Sequence, residues 1–183
     1  TGGQVDSTVA PGSQDKSGSI NKATKAGQST LDKLNKALGA TMVPAAAGRC
    51  VTGSLETMAA NGVPNPAATG ADAGNNPRGM AAQLINSFGW GAAYGSNLTL
   101  NSPYGAASSK QLSGNEYSKL VANGSIPSGA LIFQTRHSDW NGTSSGSRGY
   151  DAAIAQGHGS SLWNGQSHGS MVYGNTKKVM VLI

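Results

Sequence analysis

The chain holds a single cysteine and three histidines, and these are the side chains with which it could carry out covalent chemistry. Cys50, within "AAAGRCVTGSLETMAANG", stands in the first turn of an expected helix. There, main-chain N–H groups and the positive end of the helix dipole stabilise a thiolate. Arg49 adds positive potential beside it. A thiolate that attacks an amide carbonyl also needs a base, usually a histidine delivered from another element and oriented by a third polar group. His137, His158 and His168 are the imidazoles on offer, with Asp139 and Asp151 as the nearest acids in sequence. Cys50 next to Leu55 and Met58 equally fits a small residue filling a core, so its type and place leave both readings open. Two other chemistries fit poorly. His158 and His168 are too far apart in Gly-rich turns to look like a zinc site. Asp139 and Asp151 lack the apolar flanks that would raise one carboxyl for glycoside cleavage.

The elements that must position these residues follow from periodicity and breakers. Residues 1–28 contain Val5, Val9 and Ile20 as their only large apolar side chains and read as an arm or linker, either a loose terminus or a tether that orders against a partner. Leu31, Leu34 and Leu38 predict a short helix in "STLDKLNKALGA". A second helix is expected over 49–60, stopped by Asn61-Gly62 and Pro64. A third begins at Pro77 after the cap Asn76 and buries Met80, Leu84 and Phe88. From Gly89 to Lys110 only "NLTL" alternates like a strand. After the helical "NEYSKLVANG" come strand-like runs: "ALIFQT", "DAAIA", "SLW", "GSMVY" and "KKVMVLI". Helices followed by a meander of short strands predict an α+β domain over 29–183, with helices packed on an antiparallel sheet.

Three segments together resemble the cysteine peptidoglycan hydrolases of the NlpC/P60 and CHAP type, found in bacteria and their phages. "GRCVTGSLETMAANGV" looks like their nucleophile helix, "IPSGALIFQT" like the first strand, and "SRGYDAAIAQG" like the strand that opens with the catalytic histidine; "SLWNGQ" is similar to the strand after it. The resemblance spans roughly residues 48–173. It implies a papain-like, NlpC/P60-like fold and cleavage of an amide bond in wall peptides through a Cys50 thioester, with no metal or organic cofactor. Two positions depart from the family pattern. Ala130 replaces an Asp, and Asp151 stands where the family has its histidine. With a usual pKa near 4, a carboxylate is a poor proton acceptor for a thiol whose usual pKa is about 8.5. The base must then be another histidine, or the site does not react.

In the topology the resemblance implies, the strand at 151–155 carries His158 to its far end, about 13 Å from Asp151. His168, in the second turn after it, is expected back at the Asp151 end, as is His137 after the antiparallel strand 130–135. Asp151 would then orient His168 or His137 toward Cys50. Arg49, Asn164 and Gln166 would support the site and its substrate, and Trp140, in the polar loop "SDWNGT", is expected to be exposed and able to stack on a sugar ring.

The composition narrows the setting. Only 11% of the 183 residues are charged, against about 25% on average, and 27 are glycine, so the surface is built from Ser, Asn, Thr, Gln and Gly. The net charge of +5 suits an anionic wall polymer. No Lys/Arg run interleaved with aromatics points to nucleic acid, and no run of 18 apolar residues points to a membrane span. A start at Thr1 suggests a processed product or a piece of a longer chain. The expected location is extracellular or periplasmic. The same features fit a second class of function: an inactive structural or binding component of a phage tail, virion or similar assembly that keeps the hydrolase fold and meets its neighbours through residues 1–28.

Overall fold

The computed structural model describes residues 54–55, 58–60, 62–64, 77–127, 129–140, 150–157, 160–163, 166–168 and 174–183, with the main chain alone over 156–157, 160–163 and 166–168. Residues 1–28, the expected helix in "STLDKLNKALGA", Arg49, Cys50, His158, Asn164 and the "GSMVY" run lie outside them.

Of the expected second helix, Ser54, Leu55 and residues 58–60 are helical, and Leu55 and Met58 are buried. Its end is where the sequence puts it. Gly62 has φ +72°, its N–H donates to Ala59 O at 3.0 Å, and the Val63 N–H donates to Met58 O at 2.9 Å. Those two bonds are a Schellman stop, with the buried Val63 and Met58 as its apolar pair. Helix α1, Pro77–Ser87, starts on a proline, whose missing N–H would have had no partner in a first turn, and buries Met80, Ala81 and Leu84. Phe88 follows the helix and packs partly buried against the same core.

The stretch after α1 holds more strand than its composition suggests. Strand β1, Ala92–Ala93, is followed by a hairpin of β2, Ser96–Ser102, and β3, Gly105–Gln111. Leu100 stands opposite Ala107 and Leu98 opposite Ser109, so small residues on β3 make room for the leucines of β2. The turn from β1 into the hairpin requires Gly95. It sits at φ +99°, and a Cβ there would lie 2.1 Å from the main-chain oxygen of Gln111. Helix α2, Gly114–Ala122, starts with a capping box in which the Ser113 hydroxyl accepts from the Glu116 N–H and the Glu116 carboxylate accepts from the Ser113 N–H. Glu116 is held below the usual carboxylate range, first by that main-chain bond and then by the hydroxyl.

The remaining strands are β4 (Leu131–Thr135), β5 (Tyr150–Gly157), β6 (Ser160–Trp163), β7 (Gln166–His168) and β8 (Lys178–Leu182). They form a six-stranded sheet with β1, in the order β1-β8-β4-β5-β6-β7, and every neighbouring pair is antiparallel. The protein is therefore mixed α and β with antiparallel sheets. One detail of the expected order changes: β1, β2 and β3 precede α2, and β1 joins the sheet, so helices and strands interleave. Both faces of the central strands are covered. Leu131, Phe133 and Thr135 point one way and Ile132 and Gln134 the other, and all five are at most 1% exposed. The hairpin covers the first face, since Met180 is registered with Phe133 and its sulfur accepts a 3.4 Å bond from the Ser109 hydroxyl.

Candidate functional site

The polar side chains collect where β4 ends and β5 begins, and strand alternation divides them between two faces. Gln134 is registered with Asp151, and Thr135 with Tyr150. Gln134 and Asp151 thus share one face, and Thr135 and Tyr150 share the other.

On the first face Asp151 is tied down. Its Oδ2 accepts from the Gln134 side-chain amide and from Arg136 Nη1 at 3.1 Å. The Arg136 and Asp151 side chains keep 30% and 22% of their exposure, so this is a partly solvated ion pair. Gln134 is fully buried, and its amide oxygen accepts from the Thr176 hydroxyl at 2.9 Å. A buried side-chain amide is costly unless both of its ends are satisfied. Here Asp151 satisfies the donor end and Thr176 the acceptor end. Arg136, Gln134 and Thr176 were not among the residues expected at the site. A glutamine inside the apolar run "ALIFQT" was the available signal, because a polar residue in a strand buried on both faces needs a partner.

On the second face the ring of His137 lies 5.0 Å from that of Tyr150, tilted by 38°, and Trp140 flanks Tyr150 at 6.4 Å. The turn that presents them is held by main-chain groups. The His137 N–H donates to Thr135 Oγ1 at 2.9 Å, and the Thr135 and Tyr150 hydroxyls both donate to Asp139 O at 3.4 Å. The Tyr150 phenol is pushed above its usual pKa, chiefly by burial and then by the Asp139 charge, against the lowering pull of a Thr135 hydrogen bond and of Arg78. His137 and Asp139 are exposed at the rim. Beside them, a cleft of about 150 Å³ runs between the hairpin and the 138–140 turn.

Two expectations are corrected. Trp140 is buried, 3% exposed, with its indole N–H donating to Gln111 Oε1 at 3.0 Å, so it braces the turn against the hairpin and offers no open ring to a sugar. His168 does not return to the Asp151 end. The four-residue β6 reaches back only to the level of Ile154 before the chain reverses, and β7 places His168 opposite Ser161, which is itself opposite Ala155. Ala155 lies four residues, about 13 Å, along β5 from Asp151, and β7 is two strands, about 10 Å, to the side. Gln166 lies opposite Trp163 in the same strand pair. His137 does stand at the Asp151 end, after a β4 that runs antiparallel to β5.

Among the described residues no three His, Cys, Asp or Glu side chains gather as a metal site, and no helix is long and apolar enough to cross a membrane. No protein-family model matches the sequence, no curated protein matches it, and no solved structure matches its fold.

Proposed function

We propose that this chain is a non-catalytic binding or structural component of a phage tail, virion or similar extracellular assembly, built on a papain-like, NlpC/P60-like domain that holds peptidoglycan without cutting it. One observation carries the reading. At the position where the family resemblance calls for the catalytic histidine, Asp151 is engaged by Arg136 and Gln134. In a cysteine amidase that side chain faces the thiol and takes its proton. An ion-paired carboxylate that also satisfies a buried amide is a structural anchor. The net charge of +5 on a surface poor in charged groups suits retention on an anionic wall polymer.

A second reading, a peptidoglycan amidase or endopeptidase working through Cys50, is favoured by the exposed imidazole of His137 at the same end of the sheet. It requires Cys50 to approach from the Tyr150 face, whereas the resemblance brings the nucleophile to the Asp151 face. The two readings separate in one assay. Purified peptidoglycan is incubated with the protein, the supernatant is assayed for released peptides and the pellet for bound protein. Binding without release supports the proposal. Release that disappears in Cys50→Ala and in His137→Ala overturns it in favour of the hydrolase, and absence of both binding and release overturns the wall-binding assignment.

A further inference from the structure

The outer face of the β2–β3 hairpin is a second polar surface, apart from the Asp151 and Tyr150 faces of the sheet. Leu100, Ala107 and Ser109 are buried, so alternation turns Asn97, Thr99 and Asn101 of β2 and Ala106, Ser108 and Lys110 of β3 outward. The register sets Asn97 opposite Lys110, Thr99 opposite Ser108 and Asn101 opposite Ala106. Lys110 is half-buried and the other five are exposed. Among the described residues, no side-chain hydrogen bond or ion pair engages Asn97, Thr99, Asn101, Ser108 or Lys110. At one end of the face stands Tyr104, 41% exposed, the one exposed large apolar side chain among the described residues. Its turn is fixed. The Ser102 hydroxyl accepts from the Tyr104 N–H at 3.1 Å and donates to Gly105 O at 3.0 Å, and the Asn86 side-chain amide donates to Ala106 O at 3.0 Å, which ties the tip to α1.

We propose that this face holds a glycan strand: an N-acetylated oligosaccharide stacks one ring on Tyr104 and hydrogen-bonds through its hydroxyl and acetamido groups to Asn101, Thr99, Ser108 and Asn97. It rests on the wall-retention reading above and names the sugar chain of the wall, in place of its peptides, as the part that is held. The chemistry of the face selects this occupant. Amide and hydroxyl side chains both donate and accept, as sugar hydroxyls do. Asn97, Thr99 and Asn101 recur about every 7 Å and span about 14 Å, a row that suits an extended oligomer better than a single sugar. Residues 96–111 include no acid and have Lys110 as their one charge, so an acidic substituent on the glycan meets a cation and no repulsion. A nucleic acid would call for a row of cations along its phosphates. A protein partner would call for an apolar interface core, and this face has its one large apolar group at the end. The fixed turn presents the Tyr104 ring with little order left to lose on binding.

The test is an amide- and side-chain-resolved NMR titration of the full chain with the neutral oligomer N-acetylchitohexaose, beside sedimentation with purified peptidoglycan. Expected are shifts at Asn97, Thr99, Asn101, Tyr104 and Ser108. Tyr104→Ala should weaken the oligosaccharide about two- to tenfold, the worth of one aromatic contact, and Tyr104→Phe should bind as the parent does. Thr99→Val keeps the shape, removes one hydroxyl and should weaken it by a similar factor. Lys110→Gln should leave the neutral oligosaccharide unchanged and weaken peptidoglycan about two- to five-fold at low salt. No shift at millimolar oligosaccharide overturns the proposal, as do Tyr104→Ala and Thr99→Val chains that bind like the parent. Thr99 and Asn101 also border the cleft beside the 138–140 turn, so shifts at 138–140 without Tyr104 and Ser108 place the ligand there and overturn it too. The same hairpin shifts with a proline-rich peptide overturn it in favour of a protein partner. A parent chain that sediments with peptidoglycan and ignores the oligosaccharide overturns the glycan face alone, and one that binds the oligosaccharide and stays in the supernatant overturns wall retention alone.

Discussion

Replacing Asp151 with alanine tests whether this carboxylate is an anchor or a reactive group, and the cost can be worked from its contacts. The substitution leaves the Gln134 side-chain N–H, in a residue with no exposed surface, without its acceptor. An unsatisfied buried donor costs about 1–3 kcal/mol. The Arg136 ion pair is partly solvated and adds at most about 1 kcal/mol. Together these give about 1–4 kcal/mol, or a fall in Tm of about 2–4 °C per kcal/mol for a domain of this size. Asp151→Asn keeps an acceptor of the same shape and loses only the charge, so it should cost no more than about 1 kcal/mol. In the Asp151→Ala background, Gln134→Met removes the stranded donor and should recover about 1 kcal/mol, because replacing both partners by apolar groups costs less than orphaning one. Urea denaturation followed by circular dichroism measures all four proteins. If Asp151→Ala and Asp151→Asn unfold within about 0.5 kcal/mol of each other and of the parent chain, the anchoring role is wrong and Asp151 is free to serve chemistry.

Other outcomes follow from local structure. Gly95→Ala should destabilise by about 2 kcal/mol or more, because it combines a left-handed φ with a 2.1 Å approach to Gln111 O; thermal unfolding reads this directly. Ser113→Ala removes the capping box of α2 and should cost about 1 kcal/mol by urea denaturation. Because Glu116 titrates lower in the folded chain, its contribution is present above the usual carboxylate range and is lost as pH falls through its depressed folded value. Glu116→Gln should therefore flatten part of the acid limb of the stability curve. Burial pushes the Tyr117 phenol far above its usual range and raises that of Tyr150. Above the ordinary phenol pKa the unfolded chain releases these protons while the folded chain retains them, so stability falls as pH rises. Phenolate absorbance should show Tyr117 ionising only together with alkaline unfolding.

Some of this fold was legible in the sequence because single residues dictate local geometry. Pro77 opens α1, Gly62 closes the helix before it, and Ser113 with Glu116 starts α2. The apolar runs "ALIFQT" and "KKVMVLI" became central strands buried on both faces. The hairpin was half hidden, because β3 turns Ala107 and Ser109 inward and such small residues carry no hydrophobic period to detect. Trp140 sits in a polar stretch and was expected in solvent, yet its burial is decided by a hydrogen bond to Gln111, 29 residues away in sequence. The place of His168 turns on one length: β6 is four residues long and pairs with β5 only as far as Ile154, and β7 then sets His168 opposite Ser161. Tertiary distances of this kind leave no trace in local pattern.

The division of the site between two faces also fixes what can decide its chemistry. Tyr150 and Asp151 adjoin in sequence and point in opposite directions, so a thiol brought up on one side meets an ion-paired carboxylate, and on the other a histidine stacked on a tyrosine. Only the second arrangement supplies a proton carrier. The resemblance to wall hydrolases implies the first, since it puts histidine and thiol on one face and aligns Asp151 with that histidine. If the resemblance holds, Asp151→Cys should be joined to Cys50 by a short bifunctional thiol cross-linker, because a side chain in the place of a catalytic base faces the nucleophile across about the length of an imidazole. Tyr150→Cys should not. The reverse pattern, a cross-link from Cys50 to Tyr150→Cys and none to Asp151→Cys, would put the thiol beside His137 and make the hydrolase the better reading of this chain.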